Sequence, residues 1–241
     1  TVVTENAIVQ SMAQLQRNSN LGAVIVNEIP YSRTQYPFAV WRMLRSLERD
    51  KVMSSFSLSG RVLVLTGRFA MFRDTILLRT EVISRIRKDF VSNNGFNISL
   101  LTGDDKTTWL ELLSRGYKMK YLPYANVFPI ENPNLNKGFL RGTFALSQRY
   151  SGNMARANLH PDAWKNVGKN FHFAYGLIDQ RISMWTALLT PLLMLYLLLL
   201  DHFGIFVIVT TYVLFIKHIQ AISLWALSGS YDPWYPYLIF Y

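Results

Sequence analysis

The sequence predicts an α/β domain followed by transmembrane helices. Strand-like and helix-like segments alternate over residues 1–170, which is typical of an α/β domain with a largely parallel sheet. After Ile182 charged residues almost disappear, and the apolar run is long enough to cross a bilayer. We therefore divide the chain into a cytoplasmic domain (1–170), an interfacial amphipathic segment (171–181) and a membrane part (182–241).

The domain is predicted to begin with two helices separated by a strand. The stretch TENAIVQSMAQLQRN follows a possible cap at Thr4 and carries apolar residues at helical spacing, namely Ile8, Met12 and Leu15. The run GAVIVNE (Gly22–Glu28) is β-rich and predicts a buried strand. Tyr36–Asp50 has helical spacing with a basic face, so we predict a second helix there.

Further strands follow in the second half of the domain. RVLVLTGRFAMFR (Arg61–Arg73) predicts two strands broken at Thr66–Gly67, while KMKYLP and ANVFPI predict two more. FNISLL (Phe96–Leu101) predicts a strand that leads directly to Asp104 and Asp105. Ligands of parallel α/β sheets bind beyond the carboxyl ends of the strands. We therefore expect the acidic pair at a ligand-binding edge.

A helical pattern follows the acidic pair. Three apolar residues lie on one helical face, Trp109, Leu112 and Leu113. Of these, Trp109 is predicted to lie in the core. Gly116 has the position of a residue just beyond a helix C-terminus.

Two membrane spans are predicted after the domain. The first is 182–200, with Pro191 as a kink, the second is 203–227, and a third membrane or interfacial element begins at 234. The second span contains two ionisable residues, Lys217 and His218. These residues either snorkel toward an interface or face an aqueous or polymer path.

The charge distribution points to a membrane protein with an anionic ligand. The net charge is +10, and basic residues cluster before the first apolar span, whereas the turn after it carries Asp201 and His202. Positive charge stays on the cytoplasmic side, so residues 1–181 are predicted to be cytoplasmic. We expect membrane lipid and an anionic sugar nucleotide or polymer as partners, and no nucleic acid. The chain has no cysteine, which excludes disulfides and thiolate metal sites.

The acidic pair, Asp104 and Asp105, allows three interpretations. An aspartate before a helix caps backbone N–H groups and interacts favourably with the helix dipole, each worth about 1 kcal/mol. The letters GDD also occur in the metal-binding hairpin of viral RNA polymerases, but a helix follows here. Finally, a positioned carboxylate can act as general base on an acceptor hydroxyl in sugar transfer.

Several stretches together resemble the processive family-2 glycosyltransferases, the group that contains cellulose, chitin and hyaluronan synthases. These stretches are SLSGRVLVLTGRFAMFR, LTGDDKTTWLELLSRGY, RYSGNMARAN and IDQRISMWTALLTP, and they cover most of 57–191. Within the group they are most similar to mannuronan synthases, which polymerise alginate. The resemblance implies a partial GT-A-type (Rossmann-like) glycosyltransferase domain followed by transmembrane helices, located in the bacterial inner membrane.

The resemblance also implies roles for individual residues. Asp104 would be the general base, with Asp105 in support. The donor diphosphate would be bound by Arg149 and Lys106. The acceptor side would comprise Thr66, Gly67, Arg68 and Tyr150. The family's Gln-x-x-Arg-Trp motif falls on 146–150, where Leu146 and Tyr150 replace its first and last residues.

A family motif is missing from the sequence. No Asp-x-Asp occurs in it, although the family binds a sugar nucleotide and a divalent metal with that motif. We expect these aspartates just before Thr1, with Mg²⁺ or Mn²⁺ as the metal, and we expect the 241-residue chain to be inactive alone. The resemblance implies GDP-mannuronic acid as donor, a growing polysaccharide as acceptor and a partner in the alginate machinery that senses cyclic di-GMP. A UDP-sugar synthase and a non-catalytic membrane scaffold or transporter-like protein are the alternatives.

Overall fold

The computed structural model describes residues 1–30, 38–87, 90–93, 96–99, 104–130, 141, 161–164 and 170–228. The strands are β1 (Val2–Val3), β2 (Leu21–Glu28), β3 (Ala70–Phe72), β4 (Phe90–Asn93), β5 (Phe96–Ser99) and β6 (Lys118–Phe128). The helices are α1 (Glu5–Arg17), α2 (Phe38–Leu58), α3 (Asp74–Leu77), α4 (Thr80–Arg87), α5 (Asp104–Ser114), α6 (Pro161–Trp164), α7 (Phe171–Leu199) and α8 (Phe203–Ser228).

The central sheet is mixed, so the prediction of a largely parallel sheet is wrong. Its strand order is β1-β6-β2-β3. The two inner strands, β2 and β6, are parallel, whereas the edge strands β1 and β3 are antiparallel to their neighbours. After α2 the chain enters β3 in the direction opposite to β2. The connection from β2 to β3 is therefore not the crossover that joins two parallel neighbouring strands.

Two predicted strand segments behave differently from expectation. Residues 61–65 form no strand, and the Val62 carbonyl in this segment accepts a hydrogen bond from Trp109 Nε1 of α5 at 2.7 Å. The strand before the acidic pair, β5, pairs antiparallel with β4 in a separate two-stranded sheet. The acidic pair therefore does not follow a strand of the central sheet, and the predicted placement at a parallel-strand end is wrong.

The two strands predicted around Pro123 are one strand, β6, with an irregularity at the predicted break. Its pairing to β2 jumps from Val26–Leu122 to Asn27–Asn126. Pro123 lies in the segment that this jump skips, and proline has no N–H to give to a ladder. The proline therefore marks a real irregularity in the pairing, but the strand continues past it.

Strand β2 separates two apolar clusters. Ala23 and Ile25 face the larger cluster, which includes residues of α2, α5 and α7, and Val24 and Val26 face the smaller one beside α1. This alternation explains why the run GAVIV is apolar throughout, since both faces of the strand are covered. Trp109 is fully buried in the larger cluster, which confirms its prediction as a core residue.

Helix α1 buries one of the three apolar residues that predicted it, Leu15. Thr4 caps it as predicted, accepting a hydrogen bond from the Ala7 amide at 3.2 Å. However, Ile8 and Met12 are exposed, whereas the buried residues of the helix are Ala7, Ser11 and Leu15. Small side chains on the inner face let the helix lie close to the sheet, which Thr4 also reaches by donating to the Asn126 carbonyl.

The segment predicted to be interfacial is the first part of one long helix. Asn170 caps α7 by accepting from the Phe173 amide at 3.1 Å, and the helix continues through Pro191 to Leu199. Phe173 and Leu177 are fully buried in the larger cluster. Helix α8 corresponds to the second predicted span. Within the part of the chain that the structure describes, no helix meets the length and hydropathy expected of a membrane crossing.

Candidate active site

A pocket of about 350 Å³ opens between residues 65–72 and the first turns of α5. Its walls are Leu65, Thr66, Gly67, Arg68, Phe69, Ala70, Phe72, Asp105 and Thr108. The structure therefore brings together four residues that the sequence singled out as site candidates, the three of 66–68 and Asp105. The pocket is large enough for a small-molecule or sugar ligand.

The loop at 66–68 lies directly against the acidic residue of α5. Thr66 Oγ1 donates to the Phe69 carbonyl at 3.1 Å, which closes the loop. Gly67 is exposed, and a Cβ built on it would lie 3.5 Å from Asp105 Oδ2. Glycine thus leaves open the space next to the carboxylate, where a ligand hydroxyl would have to sit.

Asp105 combines a structural contact with access to the pocket. Its Oδ1 accepts from the Lys106 amide at 3.0 Å, near the start of α5. The N-terminus of a helix favours a negative charge, so this position suits an ionised carboxylate. The cap-like and chemical interpretations are therefore compatible.

The other predicted site residues lie away from the pocket walls or outside the described part. The side chain of Asp104 and the whole of Arg149 and Tyr150 lie outside the described part. Lys106 is buried, with Nζ 5.4 Å from the centre of the Trp109 ring. Its role as a diphosphate ligand stays a prediction.

Burial lowers the pKa of Lys106 to about 8, despite the neighbouring Asp105 carboxylate, which raises it. The unfolded chain therefore holds more protons than the folded one between pH 8 and 10.5, and this group adds stability as the pH rises through that window. Below pH 8 the lysine is charged in both states and its desolvation cost is fully present.

We expect Lys106→Met to raise the free energy of unfolding at pH 7, by on the order of 3 kcal/mol. The difference from wild type should shrink as the pH rises toward 10.5. Denaturant unfolding of the detergent-solubilised protein across this range measures it, with the exposed Lys118→Met as control. A pH-independent difference between Lys106→Met and wild type would contradict the burial argument.

An ion-pair cluster around the buried Glu28 escaped the sequence analysis. Glu28, at the end of β2, is 1% exposed, and its Oε2 lies 2.7 Å from Arg49 Nη1 and 3.5 Å from Arg68 Nη1. Its carbonyl accepts from Ser46 Oγ. Glu28 Oε1 has no hydrogen-bond partner within the described residues. The sequence signal was a charged residue at the end of a strand that is apolar up to Val26.

The described residues do not fit a metal site. Nowhere in the described ranges do three His, Cys, Asp or Glu side chains come together as a metal site would require. The expected divalent cation therefore has no ligand set among these residues, and no reaction step is assigned to it.

The chain is similar to known glycosyltransferases. The family model "Glycosyltransferase like family 2" matches residues 1–145. A protein of Pseudomonas syringae pv. tomato, glycosyltransferase alg8, is 31% identical over 245 residues, covering all of this chain and 49% of its own length. Glycosyltransferase alg8 of Azotobacter vinelandii is 35% identical over 147 residues, 61% of this chain and 30% of its own length. The chain thus spans at most about half the length of these relatives.

Proposed function

The chain belongs to glycosyltransferase family 2, and from this membership we propose that it acts in a polysaccharide synthase that transfers mannuronate from GDP-mannuronic acid to a growing alginate chain. The mixed α/β architecture fits a GT-A-type domain. The observation that carries the proposal is the pocket in which Asp105 faces the 66–68 loop. The similarity to the two alg8 glycosyltransferases and the resemblance of several motifs to mannuronan synthases support the choice of product.

In this proposal Asp105 is the general base. The resemblance implied Asp104, whose side chain lies outside the described part, and Asp105 is the acidic residue that lines the pocket among the described side chains. Its carboxylate removes the proton of the acceptor hydroxyl as the hydroxyl oxygen attacks the anomeric carbon of the donor. The bond from that carbon to the diphosphate breaks, and the nucleoside diphosphate leaves with the electron pair. Attack from the face opposite the diphosphate inverts the anomeric centre.

The donor side of the reaction is assigned to residues outside the described pocket. Arg149 is proposed as a diphosphate ligand because a guanidinium offers a fork of donors to phosphate oxygens. Tyr150 is proposed to offer an aromatic face to a sugar ring. Mg²⁺ or Mn²⁺ is proposed as the cofactor on the family resemblance alone, and no reaction step is assigned to it.

We further propose that the protein is attached to the bacterial inner membrane through residues 171–241. The support comes from the uncharged run 182–200 and from large apolar side chains that α7 leaves exposed, including Leu189, Leu193 and Leu199. Positive charge before this run supports a cytoplasmic domain. A cyclic-di-GMP-sensing partner of the alginate machinery belongs to the same proposal.

The test uses carbonate-washed membranes that contain the full-length protein. They are supplied separately with GDP-mannuronate and several UDP-sugars, and nucleotide release and polymer are measured. We expect GDP release and polymer from GDP-mannuronate. Release of UDP with polymer would show that the donor is a UDP-sugar, while the glycosyl-transfer reaction would stay as proposed. No transfer from any donor would favour a non-catalytic scaffold. Activity in the wash instead of the membranes would contradict membrane attachment.

A further inference from the structure

The pair formed by Arg68 and Glu28 bears on how the pocket recognises its acceptor. We propose that Arg68 binds the carboxylate of a uronate residue at the acceptor end of the polymer, and that Glu28 is the positioning residue that holds Arg68 at the pocket. This inference rests on the proposed function, and it names the residues through which the pocket would recognise a polyuronate acceptor.

The geometry connects the pocket wall to the rigid centre of the domain. Arg68 lines the pocket, and its Nη1 lies 3.5 Å from Glu28 Oε2. Glu28 is itself fixed, because it ends an inner strand of the sheet and pairs with Arg49 at 2.7 Å. A guanidinium carries five N–H donors, so a contact to Glu28 through Nη1 is compatible with binding a ligand carboxylate.

The carboxylate of Glu28 is costly where it stands. It is 1% exposed, and its Oε1 has no hydrogen-bond partner in the described part of the chain. Burying an ionised group costs free energy that its ion pairs offset only in part, so a charge at this strand end calls for an explanation. Fixing the Arg68 guanidinium beside the pocket is a role that accounts for keeping a charge at this strand end.

Opposite charges on the pocket wall would orient a uronate. Asp105 repels a ligand carboxylate and Arg68 attracts it, and both side chains line the same pocket. In a hexuronate the carboxylate is attached to C5, next to the C4 hydroxyl. An acceptor that reacts through this hydroxyl can therefore present the hydroxyl to Asp105 and the carboxylate to Arg68 at once. A neutral hexose offers no charge for Arg68 to bind.

The experiment measures binding without any donor. Full-length protein in lipid nanodiscs is titrated at low salt with a short oligomannuronate and with its carboxyl-reduced, uncharged counterpart. We expect the charged oligomer to bind about tenfold more tightly, as a hydrogen-bonded ion pair implies. Equal affinities in the wild type would overturn the inference. Because no transfer is measured, the result stands apart from whether GDP-mannuronate is the donor.

Variants at the two positions distinguish the role of Arg68 from that of Glu28. Arg68→Met should reduce the affinity for the charged oligomer to that for the uncharged one, and Arg68→Lys should restore part of the difference. Glu28→Gln should weaken binding of the charged oligomer alone, and an equal loss for both oligomers would make Glu28 merely structural. Arg79→Met, at an exposed position away from the pocket, is the control that should keep the preference. A preference that survives in Arg68→Met would also overturn the proposal.

Discussion

Asp105→Asn in the full-length protein is expected to lower polymer synthesis by roughly 10²- to 10⁴-fold, the range that a general base contributes. The asparagine oxygen can still accept the hydrogen bond that Oδ1 takes from the Lys106 amide. The substitution therefore removes the charge and the proton acceptor while leaving the local helix contact intact. Initial rates of nucleoside diphosphate release and of polymer formation measure the effect.

Asp104→Asn is the matched control for this prediction, because it makes the same chemical change one residue earlier. We expect it to cost less activity than Asp105→Asn, provided that both variants reach the membrane in equal amounts. A larger loss for Asp104→Asn would return the role of base to that residue, as the family resemblance implied. Wild-type rates for both would reduce the acidic pair to a helix cap.

Gly176→Ala is expected to destabilise the protein by about 3 kcal/mol, although alanine is the better helix former. A Cβ on this buried glycine of α7 would lie 2.3 Å from Phe56 Cζ and 2.9 Å from Leu63 Cδ2. Both neighbours are themselves buried in the larger cluster, so neither ring nor methyl can move aside cheaply. Thermal unfolding of the solubilised protein measures the effect.

Gly204→Ala supplies the comparison within the same protein. Gly204 lies in α8, and a Cβ there would meet nothing within 4 Å. We expect this substitution to be neutral or to stabilise slightly, because helix propensity acts without a steric penalty. If Gly176→Ala unfolded at the wild-type temperature, the close packing of α7 against Phe56 would be refuted.

The sequence predicted elements well where the signal was local. Thr4 caps α1 as predicted, and Gly116 lies after α5 with φ of 78°. Trp109 is in the core because the apolar face of an amphipathic helix is buried against the rest of the domain. The 66–68 loop and the acidic pair were assigned to one site through motif resemblance alone, since no periodicity connects segments so far apart in the chain, and their roles stay predictions.

The sequence failed where the outcome depended on partners across the fold. Strand direction in the central sheet is set by the path of the chain between strands, and apolar composition does not record it. Ile8 and Met12 of α1 are exposed because the small residues on the other face allow closer packing against the sheet. Glu28 went unnoticed because its significance depends on Arg49 and Arg68, which come from other elements.

Helix α7 packs in the apolar core through Phe173 and Leu177 and runs without a break past Ile182. Each residue added to a helix rotates all later residues by about 100° and advances them by about 1.5 Å. The junction between the domain and the apolar helices is therefore a continuous helix with a fixed rotational register, and not a flexible linker. It can accept exchanges of side chain, but a single inserted or deleted residue would rotate every later side chain by more than a quarter turn. Length variation between homologous proteins should accordingly avoid this stretch.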